Sequence, residues 1–131
     1  MRYLADTHIL IWALNLPKRL PKAVRKVLQT PGNEICFSPV SIWEISIKHS
    51  LGKLSLNGHT PEEFWDAVVA SGFRPVSPSL AAIASSYRLP RRHLDPFDRM
   101  LIWQAIDSGM TLLTAESKAA DYTEDGLRVI S

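Results

Sequence analysis

Short apolar runs with the character of buried strands alternate along this chain with segments of helical patterning. The runs are Tyr3–Ala5, Glu34–Phe37, Phe73–Val76, Met110–Leu113 and Leu127–Ile130. No hairpin turn links one run directly to the next, so each pair of strands needs a crossover, usually through a helix. The alternation therefore predicts an α/β fold with a parallel sheet of about five strands, covered by helices on both faces.

Length and composition set the class of protein. The 131 residues, 46% hydrophobic and 21% charged, predict one globular domain over residues 1–131. A net charge of +2 is too small to indicate a nucleic-acid binder by itself. The single cysteine, Cys36, excludes a disulfide framework and cysteine-rich zinc sites. Because neither a signal peptide nor a long apolar segment is present, we expect a cytoplasmic protein without membrane contact.

The segment from His93 to Ala105 carries an acid into an apolar helix. Asp95 followed by Pro96 is typical of a helix start, and Asp98 then falls at the third helical position. Its spacing places it on the same face as the apolar row Leu101, Ile102 and Ala105. Capping of free N–H groups explains such an acid as well as a functional role does.

Two further acids directly follow predicted strands. Asp6 ends the first strand, and Glu116 lies just after the fourth. In open parallel sheets, functional sites lie outside the carboxyl ends of the strands. Each acid also has a simpler explanation, since Asp6 can cap the next helix and Glu116 can be a solvated acid in a first helical turn.

Glu44 lies within a helical apolar row formed with Val40, Ile47 and Leu51. A carboxylate that faces a core is costly unless it is paired, hydrogen-bonded or bound to a cation. A metal-binding or catalytic role is one interpretation, and a buried partner such as Lys48 is the other.

Clustered carboxylates repel one another and need cations to stay ionised. Oxygen ligands without His or Cys suit Mg²⁺, with Mn²⁺ as a second possibility. Such sites activate water for attack at phosphorus. If the four acids converge, the sequence predicts metal-assisted hydrolysis of phosphodiester bonds.

Three motifs in order resemble those of the PIN-domain ribonucleases, specifically the VapC toxins of bacterial type II toxin–antitoxin systems. The first is Leu4-Ala5-Asp6-Thr7-His8 with Trp12, and the second is Ser41-Ile42-Trp43-Glu44-Ile45 with Lys48 and Gly52-Lys53-Leu54. The third, His93-Leu94-Asp95-Pro96-Phe97-Asp98-Arg99, is the most specific, and Leu113-Thr114-Ala115-Glu116 completes the match.

The resemblance implies an α/β/α sandwich, Mg²⁺-dependent endoribonuclease activity on RNA, a homodimer, and inhibition by a cognate VapB-type antitoxin. It also implies that the metal-binding and catalytic acids are Asp6, Glu44, Asp98 and Glu116. Thr7 would lie beside the metal through its hydroxyl or backbone, and Asp95 would cap the helix and support the ligands. Glu116 departs from the family's usual aspartate, and the extra methylene moves its carboxylate. It is expected to bind metal through water or hardly at all.

Arginines flank the third motif. Phosphate contacts from Arg91, Arg92 and Arg99 would hold an RNA backbone over the metal. The alternative is that these residues neutralise the carboxylates. A second basic stretch is read as a solvated helix face; it contains Lys18, Arg19, Lys22, Arg25 and Lys26. The four tryptophans fall in apolar helical patterns and are expected in the core or at a dimer contact; they are Trp12, Trp43, Trp65 and Trp103.

Other functions fit the sequence less well. An aspartyl-phosphate phosphatase generally has a second acid two residues after the first, where this chain has His8. A receiver-like signalling module needs adjacent acids after the first strand and an aspartate after the third, and neither is present. A PIN fold that has lost catalysis and only binds RNA or an antitoxin stays open, with Glu116 as the sequence feature in its favour.

Overall fold

The computed structural model describes residues 1–131, which form a five-stranded, entirely parallel sheet. The strands are β1 (Arg2–Ala5), β2 (Glu34–Phe37), β3 (Arg74–Pro75), β4 (Thr111–Leu113) and β5 (Arg128–Ile130). Their order in the sheet is β3-β2-β1-β4-β5. Strands β2 and β3 are thus added on one side of β1, and β4 and β5 on the other. The crevice between β1 and β4 is where such sheets place functional sites.

Six α-helices connect the strands: α1 (Thr7–Asn15), α2 (Lys22–Gln29), α3 (Pro39–Ser50), α4 (Pro61–Ala70), α5 (Leu80–Ser85) and α6 (Pro96–Ser108). Three 3₁₀-helices cover Pro17–Arg19, Ser86–Arg88 and Ser117–Asp125. None of the helices has both the length and the apolar character needed to cross a lipid bilayer.

Alternation along β1 separates two apolar cores. Tyr3 and Ala5 face one core, where α1, α2, α3 and α4 contribute buried residues, whereas Leu4 faces the other. The second core is built from α6 and the 3₁₀-helix 117–125. Helices therefore cover both faces of the sheet, which confirms the predicted three-layer α/β/α sandwich with five parallel strands.

Helices begin where the sequence places capping side chains. Asp6 caps α1 by accepting from the Ile9 backbone N–H at 3.0 Å. Asp95 caps α6 in the same way, with Pro96 at its first position. At the other end of α6, Gly109 adopts the left-handed conformation (φ 67°), which a residue with a Cβ rarely does.

Some boundaries differ from the predicted ones. The third strand is shorter than predicted at its start, because the Phe73 N–H donates to the Val68 carbonyl at the end of α4, at 3.4 Å. Pro75 is tolerated in this edge strand because the next N–H, that of Val76, donates to the Phe37 carbonyl of β2 at 2.9 Å. The Ser77-Pro78 pair in the sequence is typical of a helix start and predicts a helix from there, but α5 begins at Leu80, where the Ser79 hydroxyl accepts from the backbone N–H of Ala82.

Two of the four tryptophans, Trp43 and Trp65, do not lie in the core, where the apolar patterns allowed them to be. The side chains of Trp43 and Trp65 are 63% and 48% exposed, respectively. Apolar periodicity places a residue on a helix face, but the neighbouring elements leave these two faces uncovered.

Candidate active site

Side chains from three elements line a cleft at the carboxyl edge of the sheet. Asp6 follows β1, Thr114 and Glu116 follow the adjacent β4, and Asp98 projects from the first turn of α6. The remaining lining residues are His93, Lys118 and the apolar Leu101, Ile102, Leu112 and Ala119. The structure therefore brings three of the four predicted acids to one cleft.

Asp6 is buried at the bottom of this arrangement, with 6% of its surface exposed. Burial raises the pKa of its carboxyl, while hydrogen bonds from Thr114 and from the Ile9 backbone oppose that rise. The cap on α1 and the position in the cleft come from the same side chain, so capping and a functional role are compatible here.

Asp98 is the residue at which the acids meet. Burial is the main cause that raises its pKa from 3.8 to about 6. Neighbouring negative charges add to the rise, in decreasing order Asp95, Glu44, Asp6 and Glu116. Asp95 fixes the start of α6 by accepting from the Asp98 N–H at 2.9 Å. The five carboxylates thus form one electrostatically coupled cluster.

Glu44 belongs to this cluster by charge but does not line the cleft. Thr7 Oγ1 donates to Glu44 Oε1 at 2.7 Å, and Lys48 Nζ donates to the other oxygen, Oε2. The Thr7 hydroxyl also lies 3.0 Å from Ser41 Oγ. The buried carboxylate is therefore neutralised by Lys48, the alternative that the sequence left open. Roles of Thr7 and Glu44 at a metal stay predictions.

Glu116 extends from a short turn after β4. Its backbone N–H donates to Thr114 Oγ1 at 2.9 Å, which orients the turn. Its exposed side chain lines the cleft without a hydrogen-bond or ion-pair partner. A direct role in metal binding stays a prediction for this residue.

The guanidinium of Arg99 is occupied by backbone. Nη1 donates to the carbonyl oxygens of Pro90 and His93, at 3.0 and 3.2 Å, and Nη2 donates to that of Leu89 at 2.9 Å. Arg99 therefore fastens the loop that precedes α6. This use competes with the RNA contact predicted for it.

The other two arginines of this segment differ from each other. Arg92 lies 3.4 Å from Asp125 and 3.8 Å from Glu124, two acids that do not line the cleft. Arg91 is exposed and has no ion-pair partner. Of the three arginines predicted to contact RNA, Arg91 is the one whose side chain has no hydrogen-bond or ion-pair partner. Its contact with RNA stays a prediction.

The sequence predicted no role at the site for Tyr122, His93 or Thr114, although the last two lie in the quoted motifs. The buried Tyr122 hydroxyl accepts from the N–H groups of Arg92 and His93, at 3.1 and 2.9 Å, and donates to the Pro90 carbonyl at 2.9 Å. His93 Nε2 lies 2.9 Å from the Lys118 carbonyl and 3.0 Å from Asp121 Oδ2. Thr114 follows β4 directly, so the strand-end rule could have identified it.

The donor set fits a hard divalent cation. The cleft offers carboxylate oxygens and a threonine hydroxyl, and the repulsion that raises the pKa of Asp98 is what a bound cation would relieve. The cleft has a volume of about 30 Å³ that water-sized molecules can enter, which suits an ion with few waters. A nucleotide is too large for this volume and must lie across the mouth of the cleft. No three His, Cys, Asp or Glu side chains are already arranged around a common metal position.

Comparison with solved structures shows the same fold in several complexes. The chain matches one from VapBC2 of Rickettsia felis, bound to a DNA fragment from their promoter, with 17% identity and a TM-score of 0.70 over 99% of this chain and 98% of that one. It matches VapBC-1 from nontypeable Haemophilus influenzae with 20% identity and a TM-score of 0.69, over 100% and 98% of the two chains. A toxin-antitoxin complex from Klebsiella pneumoniae matches with 19% identity and a TM-score of 0.60, over 98% and 96%.

Sequence comparison identifies the family. No curated protein matches the chain significantly. The model of the PIN domain, however, matches residues 3–124, which is nearly the whole chain and includes every acid of the cluster. The parallel sheet and the carboxylates at its carboxyl edge agree with this match, and the chain belongs to the PIN domain family.

Proposed function

We propose that this protein is the toxin of a type II toxin–antitoxin pair and that it cleaves RNA in the cytoplasm as a divalent-metal-dependent endonuclease. The observation that carries the proposal is the cluster centred on Asp98, whose pKa is raised by burial and by four neighbouring carboxylates. A structural ion-pair network would place cations among these acids. Here Lys48 pairs with Glu44, and neither Lys118, which lines the cleft, nor any other cation of the chain forms an ion pair with Asp6, Asp98 or Glu116.

The PIN family and the fold relatives support the biological context. The Klebsiella pneumoniae relative is part of a toxin-antitoxin complex, and two other relatives are VapBC assemblies. By analogy we propose a VapB-type antitoxin as the partner of this chain, and a homodimer as its assembly. The exposed Trp43, stacked edge-on against Phe97 at 5.2 Å beside the cluster, is a candidate for burial in such contacts.

Each acid has a distinct part in the proposed chemistry. Asp6 and Asp98 would hold Mg²⁺ or Mn²⁺, with the exposed Glu116 completing the set. A bound ion of this kind generates a nucleophilic water and stabilises charge on the phosphate. Lys48 and Thr7 orient the Glu44 carboxylate by their hydrogen bonds, and its charge contributes to the field at Asp98. Arg91 is the arginine left to contact the RNA backbone.

A catalytically weakened PIN domain that only binds RNA or an antitoxin is the second candidate. It is favoured by one observation, namely that no three acidic side chains converge on a metal position in this structure. The two candidates differ in turnover, because a binding module retains RNA without cutting it.

Cleavage assays separate them. The purified protein is incubated with a labelled RNA in Mg²⁺, in Mn²⁺ and in EDTA, beside Asp98→Asn and the control Asp66→Asn, an exposed acid on α4. The proposal predicts metal-dependent cleavage by the wild type and Asp66→Asn, and a loss of at least about 100-fold in Asp98→Asn. RNA that stays intact with every protein and metal would favour the binding module.

A further inference from the structure

Aromatic and basic side chains form a row that leads away from the cleft along α1. His8 lies two residues beyond Asp6, and its ring centroid is 5.8 Å from that of Trp12. Arg19 then places its Cζ atom 4.6 Å from the centre of the Trp12 ring. Asp6 both lines the cleft and caps α1, so the row starts beside the cleft.

The segment that carries this row is strongly and exclusively basic. Residues 7–33 contain five basic residues and no Asp or Glu. The other ten basic and all thirteen acidic residues lie elsewhere, which leaves the rest of the chain at −3 although the whole is +2. Four of the five cations are exposed, namely Lys18, Arg19, Lys22 and Lys26. A polyanion near this surface is therefore attracted to one side of the molecule.

The fifth cation makes the surface rigid. Arg25 Nη2 donates to the carbonyl oxygens of Pro17 and Lys18, at 3.1 and 3.4 Å. These bonds fasten the 3₁₀-helix that carries Lys18 and Arg19 onto α2. Because Trp12 also supports the Arg19 guanidinium from one side, this side chain is pre-positioned rather than free in solvent. A purely solvated helix face, the interpretation from sequence, does not require either contact.

We propose that this row and the exposed Lys18 and Lys22 of the same segment bind the single-stranded RNA as it leaves the cleft. These five residues (His8, Trp12, Arg19, Lys18 and Lys22) are here called the α1 track. The inference rests on the proposed function, because it takes RNA as the substrate. Single strands are bound by basic grooves combined with aromatic or guanidinium planes on which bases stack. Arg19 can offer its free face to a base and its N–H groups to phosphate.

Length and chemistry favour a strand of RNA over an acidic peptide. The nine residues of α1 span about 14 Å, so a few nucleotides connect a phosphate at Asp6 with Arg19. A peptide would use the charges but would gain little from a guanidinium plane supported by an indole. The combination of both features therefore indicates nucleotides.

Fluorescence anisotropy of a labelled single-stranded RNA tests the α1 track. A 2′-O-methylated strand of about 12 nucleotides is titrated in EDTA, so that binding is measured without cleavage. Arg19→Glu is expected to weaken binding at least fivefold and to reduce the slope of log affinity against log salt by about 0.7. Arg19→Lys keeps the charge but loses the plane, so its affinity should fall with an unchanged slope.

Matched variants control for net charge and for a lost indole. Lys53→Glu changes an exposed lysine outside the track by the same charge, and it should bind within about twofold of the wild type. Trp65→Ala removes an exposed tryptophan of α4 and should be equally silent. Trp12 packs on the core, so substituting it also costs folding stability. The exposed Arg19 carries the test for this reason.

The outcomes separate this inference from the proposed function. Binding that is unchanged in Arg19→Glu, equally weakened in Lys53→Glu, or undetectable in the wild type overturns the α1 track. Unchanged RNA binding together with Arg19-dependent binding of a poly-glutamate peptide would assign the surface to an acidic protein segment instead. Cleavage of the unmodified RNA is measured in parallel. Arg19-dependent binding without cleavage would leave the track standing and remove the nuclease.

Discussion

The buried carboxylate of Glu44 is neutralised by Lys48, one turn further along α3, while its second oxygen accepts from Thr7 of α1. The ion pair thus supplies a positive charge to one member of the acid cluster around Asp98. The side chain of Lys48 is 35% exposed, whereas that of Glu44 is 3% exposed, so the carboxylate depends on the lysine more than the reverse.

Replacing Lys48 with methionine should therefore destabilise the fold. The change leaves a buried carboxylate with one hydrogen-bond donor, and we expect a loss of about 2–3 kcal/mol in the free energy of unfolding. Urea unfolding at neutral pH measures it. The exposed Lys53→Met should have little effect, and Glu44→Gln in the Lys48→Met background should recover part of the loss. Equal stability of Lys48→Met and the wild type would contradict the role of the pair.

Asp98 should make stability depend on pH between about 4 and 6. Its pKa is raised from 3.8 to about 6, so the folded state binds the proton more readily than the unfolded state does. The protonated form stabilises the fold, and this contribution is lost as the pH rises through that interval. Without metal, we expect a cost of about 2 kcal/mol after allowance for screening at a partly exposed group.

Urea unfolding between pH 4 and pH 8 checks this dependence. The wild type should lose stability relative to Asp98→Asn as the pH rises, because the amide cannot ionise. Asp66→Asn, the same change at an exposed acid, should follow the wild type in parallel. A difference in the free energy of unfolding between the wild type and Asp98→Asn that stays constant across the range would show that the pKa of Asp98 is not raised.

Tyr122 should anchor the loop that precedes α6. Its hydroxyl makes three hydrogen bonds to backbone groups of residues 90, 92 and 93. Tyr122→Phe removes them all, and we expect a loss of about 2 kcal/mol together with faster hydrogen exchange at the N–H groups of Arg92 and His93. Tyr87→Phe is the matched control, because Tyr87 is 76% exposed. Unchanged exchange in Tyr122→Phe would show that the loop is held by Arg99 alone.

Asp95 should act mainly as a cap. Its Oδ1 accepts from the Asp98 N–H, and asparagine caps helices nearly as well as aspartate, whereas alanine does not. Both substitutions remove the charge beside Asp98, so their difference isolates the cap. We expect Asp95→Ala to be about 1 kcal/mol less stable than Asp95→Asn in thermal or urea unfolding. Identical stability of the two variants would mean that the charge, and not the cap, is what Asp95 supplies.

The sheet and the cleft acids were predictable because they follow from local patterns. Strand ends locate Asp6 and Glu116, and the Asp95-Pro96 signature locates the start of α6 and hence Asp98. A parallel sheet then brings these positions to one edge regardless of the details of packing.

The remaining features of the site depend on side-chain packing between elements. The spacing of Glu44 and Lys48 permits an ion pair, but the hydrogen bond from Thr7 to Glu44 depends on how α1 packs against α3. Arg99 is occupied because the loop 89–95 passes over its guanidinium, and that path has no periodicity to reveal it. Tyr122 lies in a 3₁₀-helix, where neither the strand nor the helix pattern applies.

The carboxylates around Asp98 are proposed to bind a divalent cation, and the proposed nuclease activity depends on this binding. Calorimetric titration of Mn²⁺ into the wild type, Asp98→Asn and Asp66→Asn at neutral pH tests it without any assumption about the RNA. We expect saturable binding by the wild type and Asp66→Asn, and affinity at least tenfold weaker, or about 1.4 kcal/mol, in Asp98→Asn. Equal Mn²⁺ affinity in Asp98→Asn and the wild type, or no saturable binding by the wild type, would contradict it.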